Sequence, residues 1–327
     1  MNEALALLGY AIGAGTGGAA VLRHAGWPYR TPRLGVAAWQ ALSASVLLAL
    51  LLAGASLVVP EPTVSSSLAE LLQACIMAIR AQYATPGGAL VHALGAAATL
   101  TLSARVSFLL VTGLRRGRRV REQHLTRLRV AARRDDHLGA LIVEHPTAAA
   151  YCLPGRTRTI VLTSAAVRTL QADELTAVLD HERAHLRGRH HLLAASAQAL
   201  ARAVPFLPLF GWAEQEQSRL LEMIADDEAA GGGGPLTVAR ALVHLAEGSV
   251  PVAALGAADI AALARVQRLL QPAHRISAAR RGAIVAAIVA TALLPIAIAA
   301  TPAVAATHMS YCPVSSSAPP RPALQSS

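Results

Sequence analysis

Four long stretches of this 327-residue sequence carry almost no charge. They cover residues 4–22, 34–60, about 88–114 and 282–307. A helix of roughly 20 apolar residues can cross a hydrocarbon core of about 30 Å, so we expect four transmembrane helices. The composition agrees, because 54% of the residues are hydrophobic and only 15% are charged, which departs from the averages of soluble domains.

The basic residues, all of them arginine, flank these stretches asymmetrically. The flanks carry Arg23, Arg30 and Arg33 between the first two stretches, Arg115, Arg116, Arg118, Arg119 and Arg121 after the third, and Arg275, Arg280 and Arg281 before the fourth. Positively charged flanks stay on the cytoplasmic side of a membrane. We therefore expect a multi-pass protein of the cell (inner) membrane, with the segment between spans three and four cytosolic and both termini external.

The formal net charge of +10 raises the question of an anionic partner. The arginines lie beside apolar runs rather than among aromatic residues that could stack on bases. We expect the phosphates of the lipid bilayer to be the counter-charge, with no direct nucleic acid binding. Arg105, inside the third span, is expected to snorkel toward the inner interface, and a functional intramembrane arginine is the alternative.

Three cysteines are too few for a disulfide scaffold, and they form no CxxC pair. In the predicted topology Cys75 and Cys312 share the external side, whereas Cys152 faces the cytosol. Two possibilities stay open for Cys75 and Cys312: a disulfide between them, or two unpaired thiols.

A soluble domain of ordinary size fits only into residues 115–281, behind a membrane region of residues 1–114. Three short apolar runs, 141–144, 148–153 and 159–163, are separated by Pro146 and Pro154-Gly155, which predicts a small antiparallel meander. Helical patterns follow over about 172–203, 213–230, 236–247 and 258–270.

The predicted fold is thus mostly α: four transmembrane helices, with an α+β domain inserted between the third and the fourth. The segment 204–212 contains two prolines and interrupts the helices. It is predicted either to touch the membrane surface or to form a buried connection. The segment 308–327, rich in Ser and Pro, is expected to be a disordered external tail.

The first long helix of the domain contains His181-Glu182-Arg183-Ala184-His185, an HExxH motif. This spacing places two imidazoles one turn apart on the same face of a helix, which is zinc-protease geometry. The motif alone is only moderately specific, because two histidines and a glutamate can also be solvated residues of a polar helix face.

Glu222 and Asp226 share a face of a later helix and could meet the motif from across the core. Catalytic zinc takes three protein ligands and leaves a position for water. We therefore predict one Zn²⁺ per chain, bound by His181, His185 and Glu222. Glu182 is the predicted general base, and Asp226 is predicted to accept the free N–H of a ligand imidazole.

Four further polar residues lie near the motif or on the last cytosolic helix. His190 and His191 are five and six residues beyond His185, off the required face, and are predicted to be interfacial or solvent-facing. Arg265 and Arg268 are candidates for an oxyanion or substrate contact. Pairing with lipid phosphate is the alternative for both arginines.

Several motifs together resemble the BlaR/MecR-type membrane metallopeptidases of the gluzincin clan. They are Tyr151-Cys152-Leu153-Pro154-Gly155, Ile160-Val161-Leu162-Thr163, the run from Glu174 to Leu186, and the run from Arg219 to Asp226. The resemblance implies a cytosol-facing gluzincin-like zinc endopeptidase domain that cleaves a paired winged-helix repressor. It implies the same three zinc ligands and a catalytic Glu182, and an edge strand, 148–153 or 159–163, that would hold an extended peptide.

The antibiotic-sensing members of that family carry an extracellular penicillin-binding domain after the last span, whereas only about 20 residues follow Thr307 here. Acylation by β-lactams is therefore not expected, and sensing would use the loop 61–87, the membrane helices or a partner. Two alternatives stay open: a quality-control protease of the HtpX type, and a non-catalytic zinc-binding membrane signalling protein.

Overall fold

The computed structural model describes residues 2–58, 88–155, 157–247, 257–271 and 276–309, and this part of the chain is mostly helical. Several predictions concern residues outside these ranges. They are the predictions for Cys75, Cys312, the loop 61–87 and the tail from residue 310 onward.

Four of the helices are long and apolar enough to cross a membrane. They are α1 (Asn2–His24, with one π-helical turn at Ala14–Gly18), α3 (Pro32–Ser56), α4 (Gly88–Ala131) and α11 (Ala278–Met309), with the short α2 (Trp27–Arg30) between the first two. Their outer faces expose large apolar side chains such as Val21, Leu100 and Val289. This arrangement is compatible with a membrane protein, because lipid would cover those faces.

The third apolar helix does not end where its apolar stretch ends. Helix α4 continues without interruption to Ala131 and, at 44 residues, is about 66 Å long. Arg105, near its middle, donates hydrogen bonds to the carbonyls of Ala203 and Arg202, each over 2.9 Å. The structure thus gives Arg105 a protein partner, the C-terminal carbonyls of another helix, which otherwise lack intrahelical donors.

The sheet has four strands, β1 (Ala132–Asp135), β2 (Ala140–Val143), β3 (Ala150–Leu153) and β4 (Thr159–Thr163), in the order β1-β2-β4-β3. β1 pairs with β2 and β3 pairs with β4 in antiparallel fashion, but β2 and β4 are parallel. The predicted antiparallel meander is therefore wrong in its topology. Of the two candidate edge strands, β4 is central and β3 lies at the edge.

Six further helices follow the sheet. They are α5 (Ser164–Thr169), α6 (Ala172–Arg187), α7 (His190–Ala203), α8 (Pro208–Gly233), α9 (Pro235–Glu247) and α10 (Ala257–Leu270). The predicted single helix over 172–203 is wrong, because Gly188 and left-handed Arg189 (φ +49°) separate α6 from α7. Helix α8 is longer than predicted at both ends and stops at Gly234, whose φ is +86°.

The connection between α7 and α8 packs in part against the apolar helices. Val204 and Leu207 belong to one hydrophobic core with Leu7 of α1 and Trp39 of α3, and Phe210 of α8 joins them. Pro205 and Phe206, which lie between Val204 and Leu207, are exposed, Phe206 by 74%, so both alternatives for this segment stay open. Helix α8 begins among the apolar helices, and its later part packs against α6.

Candidate metal centre

Helix α6 carries the HExxH motif and is fixed at its N-terminus by Glu174. The Glu174 carboxylate accepts a hydrogen bond from the backbone N–H of Gln171 (3.0 Å), as in a capping box. This buried carboxylate also pairs with His244 of α9 over 2.9 Å. The start of α6 is thus held both locally and by a neighbouring helix, which defines the position of the motif about two to three turns later.

The structure brings His181, His185 and Glu222 together, with one ligand atom from each lying within 4.8 Å of the others. The two Nε2 atoms are 3.2 Å apart. Glu222 Oε2 lies 3.5 Å from His181 Nε2, and Oε1 lies 3.4 Å from His185 Nε2. Ligand atoms roughly 2.0–2.1 Å from a tetrahedral zinc are separated by about 3.3 Å, so this donor set fits a zinc ion in type and in spacing.

Asp226, one turn beyond Glu222, is buried and connects a histidine to an arginine. Its Oδ1 lies 3.0 Å from His181 Nδ1. Arg265 of α10 donates to both Asp226 oxygens, over 2.6 Å and 2.8 Å, and its Nη1 lies 3.1 Å from Glu222 Oε2. This bidentate carboxylate–guanidinium pair holds the His181 ring so that Nε2 faces Glu222 and His185. Arg265 Nη2 also lies 3.5 Å from that Nε2.

The two histidines of the motif differ in their electrostatics. Burial would lower the pKa of His181, but its hydrogen bonds to Asp226 and Glu222 raise that pKa to about 9. Burial lowers the pKa of His185 to about 4. For Asp226, hydrogen bonds from Arg265 and His181 outweigh burial and hold the pKa at about 2. Asp226 is thus an anion that favours N–H donors around it.

Glu182 is buried beside the donor set without being one of its members. Burial raises the pKa of its carboxyl group, which brings the group closer to the range useful for a general base. Burial and the nearby Glu182 carboxylate raise the pKa of the Cys152 thiol, on edge strand β3, to about 12. Cys152 is therefore a neutral thiol beside the predicted general base, a proximity that the sequence did not reveal.

His190 contradicts its predicted position. It is only 6% exposed, and its Nδ1 lies 2.9 Å from His185 Nδ1, so it orients the second histidine of the motif. The close packing requires Gly188, because a Cβ at that position would overlap the His190 ring. The pair Gly188-Arg189 is the sequence feature that could have predicted this position. His190 was excluded by the spacing of residues along one continuous helix, and that spacing does not apply once the helix breaks at this pair.

The remaining candidates lie around this centre. Arg268 donates to Asp227 over 2.8 Å and to the carbonyl of Tyr29 over 3.2 Å, so it pairs with protein groups. Arg265 contacts Asp226 and Glu222 as described, and its role toward an oxyanion or substrate stays a prediction. His191 is partly buried and lies on the first turn of α7.

A two-histidine, one-carboxylate donor set with an adjacent buried glutamate is the arrangement of a zinc peptidase. Residues 114–230 match the family model described as Peptidase family M48. The matched segment contains the sheet, α6, α7 and most of α8, including all three donor residues. The match supports a relationship to the M48 zinc metallopeptidases, and hence a zinc-dependent protease. No curated protein and no solved structure matches the chain.

Proposed function

We propose that this protein is a membrane-embedded zinc endopeptidase whose catalytic domain, residues 115–281, lies on the cytosolic side between the third and fourth spans. The observation that carries the proposal is the spacing of His181 Nε2, His185 Nε2 and the Glu222 carboxylate, 3.2–3.5 Å between donors from two different helices. All three residues offer atoms that commonly bind zinc, and those atoms come from two separate helices to within the reach of one ion.

His181, His185 and Glu222 would hold the zinc ion, which when bound polarises a scissile carbonyl and makes water a nucleophile near neutral pH. Glu182 accepts the proton of the attacking water and delivers it to the departing amine nitrogen. Asp226 keeps a proton on Nδ1 of His181, which leaves Nε2 as the ligand atom. Edge strand β3 carries Cys152, which lies near Glu182. Its outer edge offers backbone N–H and C=O groups to an extended peptide.

The cytosolic placement rests on the arginine-rich flanks of spans two, three and four. From the resemblance in sequence we propose that the protease is regulatory. Its proposed substrate is a cytosolic protein such as a winged-helix transcriptional repressor. A quality-control protease would instead favour unfolded proteins over a single folded substrate.

The test uses the full chain purified in detergent, with proteolysis of a candidate repressor and of unfolded casein measured in parallel. We expect wild type to contain about one zinc per chain and Glu182→Gln to lose roughly 10²–10⁴-fold in activity while it keeps the metal. His185→Ala is expected to lose the zinc. Equal cleavage by wild type and Glu182→Gln would refute the mechanism, and preferential cleavage of casein would favour the quality-control role.

The membrane setting has an independent test. A reporter fused near Arg134 is expected to behave as cytosolic, and a reporter fused at the C-terminus as external. The reverse pattern would overturn the orientation without affecting the metal site.

A further inference from the structure

A cavity of about 690 Å³ lies between the extension of α4 beyond its apolar stretch, the turn that follows β3 and the junction of α6 with α7. Its lining contains five arginines and one acidic residue: Arg118, Arg121, Arg129, Arg158, Arg189 and Glu122. The single carboxylate is paired with Arg118 over 2.7 Å. The cavity therefore carries a large excess of positive charge, and none of the proposed zinc ligands lines it.

Two buried nitrogen atoms at this cavity have no hydrogen-bond partner. Among the residues that the structure describes, only three buried side-chain polar atoms are unsatisfied, and two of them, Arg121 Nε and His191 Nδ1, belong to its lining. An unpaired buried N–H costs roughly 1–3 kcal/mol. A ligand with several acceptor oxygens would pair with the Arg121 guanidinium, and with His191 in a tautomer that turns an N–H toward the ligand.

The backbone around the cavity supports the same conclusion. Within the described ranges, the non-glycine residues with positive φ are Arg158 (+40°) and Arg189 (+49°), and both line the cavity. Residues held in the left-handed region are uncommon and often occur at sites that clamp a ligand. Here the two strained positions both present a guanidinium group.

The position of Arg118 and Arg121 on α4 indicates that the ligand is part of the membrane surface. Arg118 and Arg121 follow Leu114, the last apolar residue of the third stretch, by four and seven residues, or about 6 Å and 10 Å along a helix. The headgroup layer extends roughly 5–8 Å beyond the hydrocarbon core, and long arginine side chains reach toward it. Leu192 adds apolar lining, which suits the glycerol part of a lipid.

We propose that this cavity binds a phosphate-bearing anion through Arg121, Arg189 and His191, and that its source is the headgroup of an anionic phospholipid of the inner leaflet. Basic pockets next to membrane helices on the cytoplasmic side are suited to such headgroups. The inference rests on the membrane setting proposed above but not on the peptidase activity. A bound lipid would tie the extension of α4 to the C-terminal end of the HExxH helix.

The test is native mass spectrometry of the full chain in a non-ionic detergent, with short-chain phosphatidylglycerol and short-chain phosphatidylcholine as probes. We expect the anionic lipid to bind roughly tenfold more tightly. The double variant Arg121→Gln with Arg189→Gln is expected to lose this preference. The matched control, Arg133→Gln with Arg168→Gln, removes the same charge from exposed positions outside the cavity lining and should keep it.

Two further variants separate folding and catalysis from binding. Arg158 lies in a loop, so Arg158→Gln is expected to weaken the preference for the anionic lipid without a change in melting temperature. Glu182→Gln is expected to keep that preference although it loses hydrolysis. Equal binding of the two lipids, or an equal loss in the control variant, would overturn the proposal. Equally tight binding of inorganic phosphate would reject the lipid source, and preferential binding of a glutamate-rich peptide would reject the phosphate assignment.

Discussion

Asp226 contacts a candidate zinc ligand on one side and a partly buried cation, Arg265, on the other. Its carboxylate accepts from His181 Nδ1 and receives two hydrogen bonds from Arg265. Replacement by asparagine keeps the shape but removes the charge that holds both donors. We expect Asp226→Asn to lower zinc affinity about 10–100-fold, as measured by competition with a metal chelator.

The neighbouring Asp227 provides the control for that substitution. Its side chain is 48% exposed and pairs with Arg268 rather than with a histidine. Asp227→Asn makes the same chemical change one residue away and should leave zinc affinity unchanged. If both variants bound zinc like wild type, the orienting role of Asp226 would be wrong.

At the scale of elements, the candidate metal site joins two helices that are distant in sequence. Helix α6 supplies the two histidines and α8 supplies Glu222, so a bound ion would cross-link them. We expect removal of zinc by a chelator to lower the melting temperature, since a ligand present at about 1,000 times its dissociation constant stabilises the folded state by about 4 kcal/mol. A chelator should not change the melting temperature of His185→Ala, and an equal decrease in that variant would contradict the assignment.

The junction between α6 and α7 allows a test of the packing of His190. Gly188 has an ordinary helical backbone, so by helix propensity alone alanine would stabilise the protein there. The alanine Cβ would, however, overlap the His190 ring. We expect Gly188→Ala to destabilise the protein by about 1–3 kcal/mol and to weaken zinc binding through His185. In Gly211→Ala, where the new Cβ meets nothing within 4 Å, helix propensity predicts a gain of about 0.8–1 kcal/mol. Thermal unfolding of the two variants checks these expectations, because the melting temperature should fall for Gly188→Ala and rise for Gly211→Ala.

The elements also show which features a sequence can predict. Apolar length and the i, i+4 spacing of His181 and His185 are local patterns, so the spans and the approximate position of α6 follow from them. Strand order is not local: the parallel pairing of β2 with β4 joins segments on either side of β3. Strand β1, with the sequence Ala-Arg-Arg-Asp, lacks the apolar alternation that would reveal it.

For the whole molecule, the helix that carries Glu222 is also a packing partner of the apolar helices α1 and α3. Tyr29 donates to Glu216 over 2.6 Å, and Gln40 of α3 hydrogen-bonds to Gln217. Both acceptors lie on α8, one to two turns before Glu222. A displacement of α3 would therefore be transmitted to a candidate zinc ligand through a single rigid helix, which gives the spans a direct physical route to the site.

Gly35, in the first turns of α3, allows that route to be tested. An added Cβ would lie 2.9 Å from Pro28 Cβ and 3.0 Å from Leu220 Cδ1, and Leu220 stands two residues before Glu222. Because the methyl of Gly35→Ala must displace Pro28 and press the Leu220 side chain against α8, we expect the variant to lose about 1–3 kcal/mol of stability and to bind zinc several-fold more weakly. Gly9→Ala, on the first apolar helix, meets nothing within 4 Å and should keep wild-type affinity. Zinc titrations of the two variants decide the matter: if Gly35→Ala lowered the melting temperature but bound zinc like wild type, the membrane helices would support the domain without acting on its metal site.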